Sequence, residues 1–158
     1  MKELSAGIII YRRTKEGPKF LLLYHGGRYW NFPKGKIDDS LGKETTFKAA
    51  LREVREETGI LPRDLRINSW FKSYDKYVFT QKGKKVFKTV VYYLAETNER
   101  DVKISDEHSG FGWFLEKEAL RMLLYGNLKN NLKKAYEVVQ GKRLPPHQTR
   151  TNPKLERK

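Results

Sequence analysis

Cysteine is absent from this 158-residue sequence. Disulfide frameworks, Cys-ligated zinc, iron–sulfur clusters and thiol catalysis are thereby excluded, and a reducing, cytoplasmic setting is favoured. Acidic residues are scarce: 19 Asp and Glu stand against 33 Lys and Arg, a formal charge of +14. That surplus suits polyanionic partners, whether nucleotide, nucleic acid or an acidic surface, without choosing among them. Long apolar runs are missing too. The longest, around Gly7–Tyr11 and Phe20–Tyr24, fall far short of a membrane span, so no membrane partner is expected. Met1-Lys2-Glu3-Leu4 does not read as a signal peptide. No repeat of period 20–50 is visible. With 38% hydrophobic and 13% aromatic residues, the chain is too apolar to be disordered. Its length fits one domain with a self-sufficient core.

Ala6-Gly7-Ile8-Ile9-Ile10-Tyr11 reads as a buried strand, ended by the turn residues Thr14 to Pro18. Phe20 to Tyr24 reads as its partner. Leu65 to Tyr77 is extended and aromatic-rich, with Trp70 and Phe71 on opposite faces. Lys82-Gly83-Lys84 reads as a hairpin tip before a strong strand, Val86 to Ala95. Gly112 to Leu115 is a short strand. Glu116–Leu124 and Leu128–Val139 read as helices. The expected fold class is α+β, or a mixed α/β sandwich. Residues 1–140 form the domain. Residues 141–158 carry six Lys and Arg against one Glu, with three prolines, and read as a mobile basic tail.

The most informative stretch runs from Glu44 to Ile60. Phe47, Ala50, Leu51 and Val54 fall at helical spacing, and Gly59 sits where a left-handed helix stop is expected. Glu53, Glu56 and Glu57 lie at i, i+3 and i+4, on a side roughly 120° round from that stripe. Two such carboxylates about 4 Å apart repel by roughly 4 kcal/mol at an effective dielectric of ~20. Pairs with Arg52 and Arg55 recover only about 0.2–0.5 kcal/mol each. A divalent cation with a preference for hard oxygen ligands, Mg²⁺ or Mn²⁺, would relieve the rest. An arbitrary Arg-Glu-x-x-Glu-Glu is more often a solvated helix face. Here Pro33-Lys34-Gly35, read as a tight turn offering the Gly35 carbonyl and the Lys34 cation, and Glu44 at the helix start favour a site.

Gly35, Glu44 and Arg52-Glu53-Val54-Arg55-Glu56-Glu57-Thr58-Gly59-Ile60 resemble the Nudix box, Gly-x5-Glu-x7-Arg-Glu-U-x-Glu-Glu-x-Gly-U with U aliphatic. The second half matches at every fixed position. In the first half eight residues, not five, separate Gly35 from Glu44, which reads as a three-residue insertion in the loop. The resemblance implies a mixed β-sheet sandwiched between helices, and metal-dependent hydrolysis of a nucleoside diphosphate linked to another group. It implies Glu56 and Glu57 as metal ligands, with the Gly35 carbonyl as a third. Glu53 would be base or further ligand, Arg52 would orient the carboxylates, and Glu44 would brace the loop.

Outside the box, Ser5 to Arg12, Trp30 to Gly35, Lys88 to Ala95, and Ser105-Asp106-Glu107-His108 with Trp113 resemble the asymmetric bis(5′-nucleosyl)-tetraphosphatases within that family. This implies hydrolysis of diadenosine tetraphosphate to ATP and AMP. Lys34 and Lys88 would hold phosphates. Glu107 would supply a carboxylate from outside the helix, as ligand or base, and His108 would orient it or touch a phosphate. His25 or Tyr29 could also face the phosphate chain. Tyr125 would stack on adenine, with Phe79 as its partner. Two alternatives stay open. One is a pyrophosphohydrolase of 5′-triphosphate RNA or an NTP, with RNA bound by the basic surface and tail. The other is a catalytically silent nucleotide- or RNA-sensing module.

Overall fold

A computed structural model describes residues 1–27, 29–38, 42 and 44–141. The tail from residue 142 on, and most of the inserted stretch before the helix, lie outside those residues. The elements follow in chain order as β1 (Lys2–Thr14), β2 (Gly17–His25), β3 (Tyr29–Asn31), β4 (Lys34–Lys36), α1 (Thr46–Thr58), β5 (Leu65–Ile67), β6 (Ser73–Gln81), β7 (Lys84–Thr97), β8 (Gly110–Leu115), α2 (Glu116–Met122) and α3 (Gly126–Val139). The α+β class and mixed sheet expected from the sequence are both observed.

The sheet is organised on β1. It pairs antiparallel with β2 and β4, and parallel with β7, from Lys2 opposite Phe87 to Tyr11 opposite Glu96. β2 carries β3 and β8, and β7 carries β5 and β6. Because β1 is central and covered on both sides, its apolar run is continuous rather than alternating. Ile8 and Ile10 point to one face, where Ala49, Ala50 and Val54 of α1 pack with Leu21, Leu23 and Ile60. Ile9 and Tyr11 point to the other, with Phe20, Leu22, Phe32 and Tyr92 under Ala119, Leu128 and Leu132 of α2 and α3.

Helix α1 starts at Thr46, two residues later than the Glu44 start read from the sequence. Thr45 is its cap, and the Thr45 hydroxyl accepts from the Lys48 N–H at 3.1 Å. It ends at Gly59, φ +78°, whose N–H donates to the Arg55 carbonyl. The Lys82-Gly83 tip of the β6–β7 hairpin has φ of 52° and 77°, the left-handed pair a two-residue turn needs. Two local expectations change. Pro33-Lys34-Gly35 is not a free turn, because Lys34–Lys36 is a strand on β1. Trp70 and Phe71 sit in the turn before β6 rather than on a strand, and only Phe71 is buried. Among the described residues, no helix is long and apolar enough to cross a membrane.

Candidate active site

The site forms where β4 lies between the N-terminal half of β1 and helix α1. β4 is only three residues long, and its side chains alternate. Gly35 faces α1, while Lys34 and Lys36, opposite Gly7 and Ser5, face the other way. Glycine is required at both close approaches. A Cβ on Gly7 would lie 2.3 Å from the Pro33 carbonyl oxygen, and one on Gly35 would lie 2.0 Å from Cδ of Glu53. The backbone pattern also qualifies the role expected for Gly35. Ile8 N–H donates to Pro33 O and Ile37 N–H to Leu4 O, so the ladder alternation makes Ala6–Gly35 a mutually bonded pair. The Gly35 carbonyl therefore has one lone pair directed at Ala6 and is not wholly free.

A cleft of about 690 Å³ opens here, with Glu53, Glu56, Glu57 and Glu107 on one side and Lys34 and Lys88 on the other. Ser5, His25, Lys36, Ser105 and Asp106 complete its lining. The structure thus brings together the box carboxylates, Glu107 and both lysines named from sequence.

Arg52 organises the carboxylates. Its Nε and Nη2 donate to the two oxygens of Glu44 at 2.7 and 3.0 Å. Nη1 donates to Glu53 at 2.8 Å and Glu56 at 3.2 Å, and Nη2 also reaches the Lys36 carbonyl at 2.9 Å. Glu44 accepts from the Asp38 N–H as well, so it does brace the loop. These bonds hold the Glu44 carboxyl below the usual range.

Glu57 is different. The sequence set it on an open carboxylate face, but β4 covers that edge of α1 and leaves Glu57 7% exposed. One oxygen accepts from the Lys34 N–H at 3.0 Å, and the other faces His108 Nε2 at 3.8 Å. Burial pushes its carboxyl up to about 8, aided by the charges of Glu53 and Glu107 and opposed by Lys34. Glu53 is raised for the same first reason, burial, despite Arg52. Lys34 is lowered by burial and by neighbouring Lys88.

No three acidic or histidine side chains converge at ligand distance among the described residues. The donor set nonetheless fits a hard divalent ion. Several carboxylates share one cleft, burial makes the charge of Glu53 and Glu57 costly, and Arg52 and Lys34 offset only part of it.

His108 lies under the cleft, with Nδ1 3.1 Å from the Ser105 hydroxyl and its ring edge-on to His25 at 4.4 Å. The Nε2 atoms of His25 and His108 and the hydroxyl of Ser5 are buried with no hydrogen-bond partner. Burial pushes His25 down to about 4. Lys88, on β7 opposite Glu3, is buried, and its ammonium donates to Glu3 at 3.2 Å. Tyr125 is exposed just before α3, and its ring meets Tyr29 edge-on at 6.2 Å. Tyr29 in turn stacks on His25 at 4.6 Å. Phe79 meets Tyr77 at 6.1 Å, so the ring expected to pair with Tyr125 has another neighbour. Tyr77 lies within the electrostatic reach of both Tyr29 and Tyr125. The start of α3 is tied to β6 by Asn127, which donates to Asp75 at 3.0 Å and to the Lys76 carbonyl at 3.2 Å.

Sequence reasoning passed over Glu3, Ser5, Asp75 and Tyr77. Their common signal is strand register: Glu3 and Tyr77 both sit opposite Lys88, on β1 and β6.

Residues 1–139 match the NUDIX domain model, and the chain belongs to the Nudix pyrophosphohydrolase family. It is similar to the bis(5′-nucleosyl)-tetraphosphatase (asymmetrical) of Mus musculus, 35% identical over 145 residues, or 85% of this chain and 94% of the relative. The enzyme of that name from Caenorhabditis elegans is 32% identical over 140 residues, covering 87% and 96%. The crystal structure of a C. elegans Ap4A hydrolase binary complex superposes with a TM-score of 0.75 at 31% identity, over 88% of this chain and 98% of that one. An RNA pyrophosphohydrolase of Aeromonas hydrophila is similar over a shorter stretch, 34% identical over 73 residues, or 46% of this chain and 39% of the relative. Members of this family typically use a divalent metal and bind nucleotide substrates.

Proposed function

We propose that this chain hydrolyses dinucleoside polyphosphates, converting diadenosine tetraphosphate and water into ATP and AMP with Mg²⁺ or Mn²⁺. The observation that carries this reading is the cleft itself: carboxylates on one wall, with Glu57 buried and Glu53 half-buried, lysines on the other, and Tyr29 stacked on His25 of the lining. Likeness to asymmetrical tetraphosphatases along nearly the whole chain supports the substrate class.

In this reading Glu53, Glu56 and Glu57, with the Gly35 carbonyl, would hold the cation. Once bound, the cation would neutralise phosphate charge and acidify a water. The remaining work falls to the chain. Lys34 and Lys88 hold phosphate oxygens as point charges. The water oxygen bonds to phosphorus as the P–O anhydride bond breaks, and the leaving nucleotide keeps the bridging oxygen. The water's proton passes to a carboxylate, with Glu53 and Glu107 in reach of the cleft. Arg52 keeps Glu53 and Glu56 in place, and His108 Nε2 lies 3.8 Å from the Glu57 carboxylate. Tyr125 offers adenine a stacking face, worth about 1–3 kcal/mol, with Tyr77 and Phe79 on the facing strand.

A second reading, removal of pyrophosphate from 5′-triphosphorylated RNA, is favoured by the +14 charge and by the shorter match to RNA pyrophosphohydrolases. The test incubates the full chain and Mg²⁺ separately with diadenosine tetraphosphate, ATP, ADP-ribose and triphosphorylated RNA, and identifies products by anion-exchange chromatography. ATP plus AMP from the first substrate is expected. Phosphate or pyrophosphate release from RNA alone would replace the proposal with the second reading.

A further inference from the structure

One face of β1 carries Glu3, Ser5 and Gly7 in sequence, flanked by Lys34 and Lys36 of β4 on one side and Lys88 of β7 on the other. Gly7 and Lys34 lie at the inner end, where the Lys34 N–H meets Glu57. Glu3 lies at the outer end, four residues or about 13 Å away. Between them the Ser5 hydroxyl is fully buried, lines the cleft and has no partner. The lining therefore runs from the carboxylate wall, past an unpartnered hydroxyl, to Lys36 and Lys88, and behind it both lysines end on one anion. That anion is shared. Glu3 Oε1 meets Lys88 Nζ at 3.2 Å and Oε2 meets Lys36 Nζ at 3.1 Å. Glu3 sits where a phosphate bridging these two lysines would sit.

We propose that Glu3 is a resident anion that closes the lysine groove and sets the length of phosphate chain the cleft accepts. This rests on the dinucleoside polyphosphate reading above. A phosphate reaching Lys34 and Ser5 meets that ammonium and a hydroxyl, with Glu57 and Asp75 already within charge range of Lys34. A chain one or more phosphates longer meets the Glu3 carboxylate, which already occupies Lys36 and Lys88. It must either displace that carboxylate or lie against its charge. Near ~4 Å in a groove open to water, such repulsion amounts to about a fivefold loss. The same carboxylate holds Lys88 in one position, so its removal relaxes selectivity for length more than it weakens binding.

The test compares the wild type with Glu3→Gln, which keeps a hydrogen-bond acceptor but no charge, and with Glu3→Asp, which keeps the charge. With Mg²⁺, kcat/KM is measured on dinucleoside tri-, tetra-, penta- and hexaphosphates. Separately, pyrophosphate and tripolyphosphate are titrated calorimetrically into the protein without metal. The ratio of penta- to tetraphosphate kcat/KM, and of tripolyphosphate to pyrophosphate affinity, is expected to rise about fivefold in Glu3→Gln and to stay near wild type in Glu3→Asp. Unchanged ratios, or a uniform loss at every length in both variants, would make Glu3 a mere strap for Lys88 and overturn the proposal. If the wild type cleaves no dinucleoside polyphosphate, the functional reading fails, and the inorganic titration still decides the role of Glu3.

Discussion

Glu57→Gln should abolish activity yet stabilise the metal-free protein at alkaline pH. In the folded chain the Glu57 carboxyl titrates near 8, against 4.5 for an unperturbed Glu. Between those values the folded state keeps a proton that the unfolded state has released. Stability from this group is therefore complete below pH 4.5 and is lost as pH rises to about 8. At 1.36 kcal/mol per pH unit the full gap sets a ceiling of about 5 kcal/mol. Water in the open cleft brings the expected loss nearer ~2 kcal/mol. Gln has no proton to lose, its oxygen still accepts from the Lys34 N–H, and its amide faces His108. His25, lowered to about 4 by burial, works in the opposite sense between 4 and 6.5, but it does so in both proteins and cancels in the difference. The assay is urea denaturation in EDTA at pH 5, 7 and 8.5, repeated with Mg²⁺. The two proteins should be alike at pH 5, and the variant should be more stable by about 2 kcal/mol at pH 8.5. Mg²⁺ should rescue only the wild type. Parallel pH profiles, or a less stable variant at pH 8.5, would mean that Glu57 is already ionised and compensated in the folded chain, and the argument for its metal role from buried charge would collapse.

Two further substitutions separate folding from chemistry. Gly35→Ala places a Cβ 2.0 Å from Cδ and 2.1 Å from Oε1 of Glu53, so that side chain must swing away. Since only the far end of a side chain has to move, the melting temperature should fall little, while turnover drops about a hundredfold through misplacement of the carboxylate. Near-normal turnover would show that the position of Glu53 is not critical. Arg52→Lys keeps the charge but cannot reproduce the two-pronged contact with Glu44 while also reaching Glu53, Glu56 and the Lys36 carbonyl. A loss of about 2–3 kcal/mol in urea denaturation is expected, and a change under 0.5 kcal/mol would refute the bracing role.

The carboxylate helix was legible because its signals are local. Helical spacing placed Glu53, Glu56 and Glu57 on one side, and Gly59 marked the stop that φ +78° now records. What was hidden came from register. Lys34-Gly35-Lys36 carries no strand propensity, and it becomes a strand only because β1, with its bare Gly7, accepts it at close range. That pairing buries Glu57, which helical periodicity alone had left at the edge of a solvated face. The partnership of Glu3 and Lys88 spans 85 residues through a parallel pair that no short-range pattern encodes. Tyr77 and Phe79 share one face of β6, and it is the hairpin register fixed at Lys82-Gly83 that puts Tyr77 opposite Lys88 and Phe79 opposite Val86.

The uneven charge of the chain acquires a structural meaning at β4. Its three side-chain positions divide the cleft: Gly35 lets Glu53 approach on one face, and Lys34 and Lys36 line the groove on the other. A one-residue slip would drive a lysine into the carboxylates and leave a bare glycine in the groove, destroying both walls at once. The register is held where the chain can least afford a side chain, at Gly7 against Pro33, and at the Lys34 N–H, which ends on Glu57. One backbone bond thus joins the wall suited to a cation to the wall suited to phosphate. The surplus of positive charge is useful only because this short strand keeps its lysines within reach of the carboxylates without letting the two sets neutralise one another.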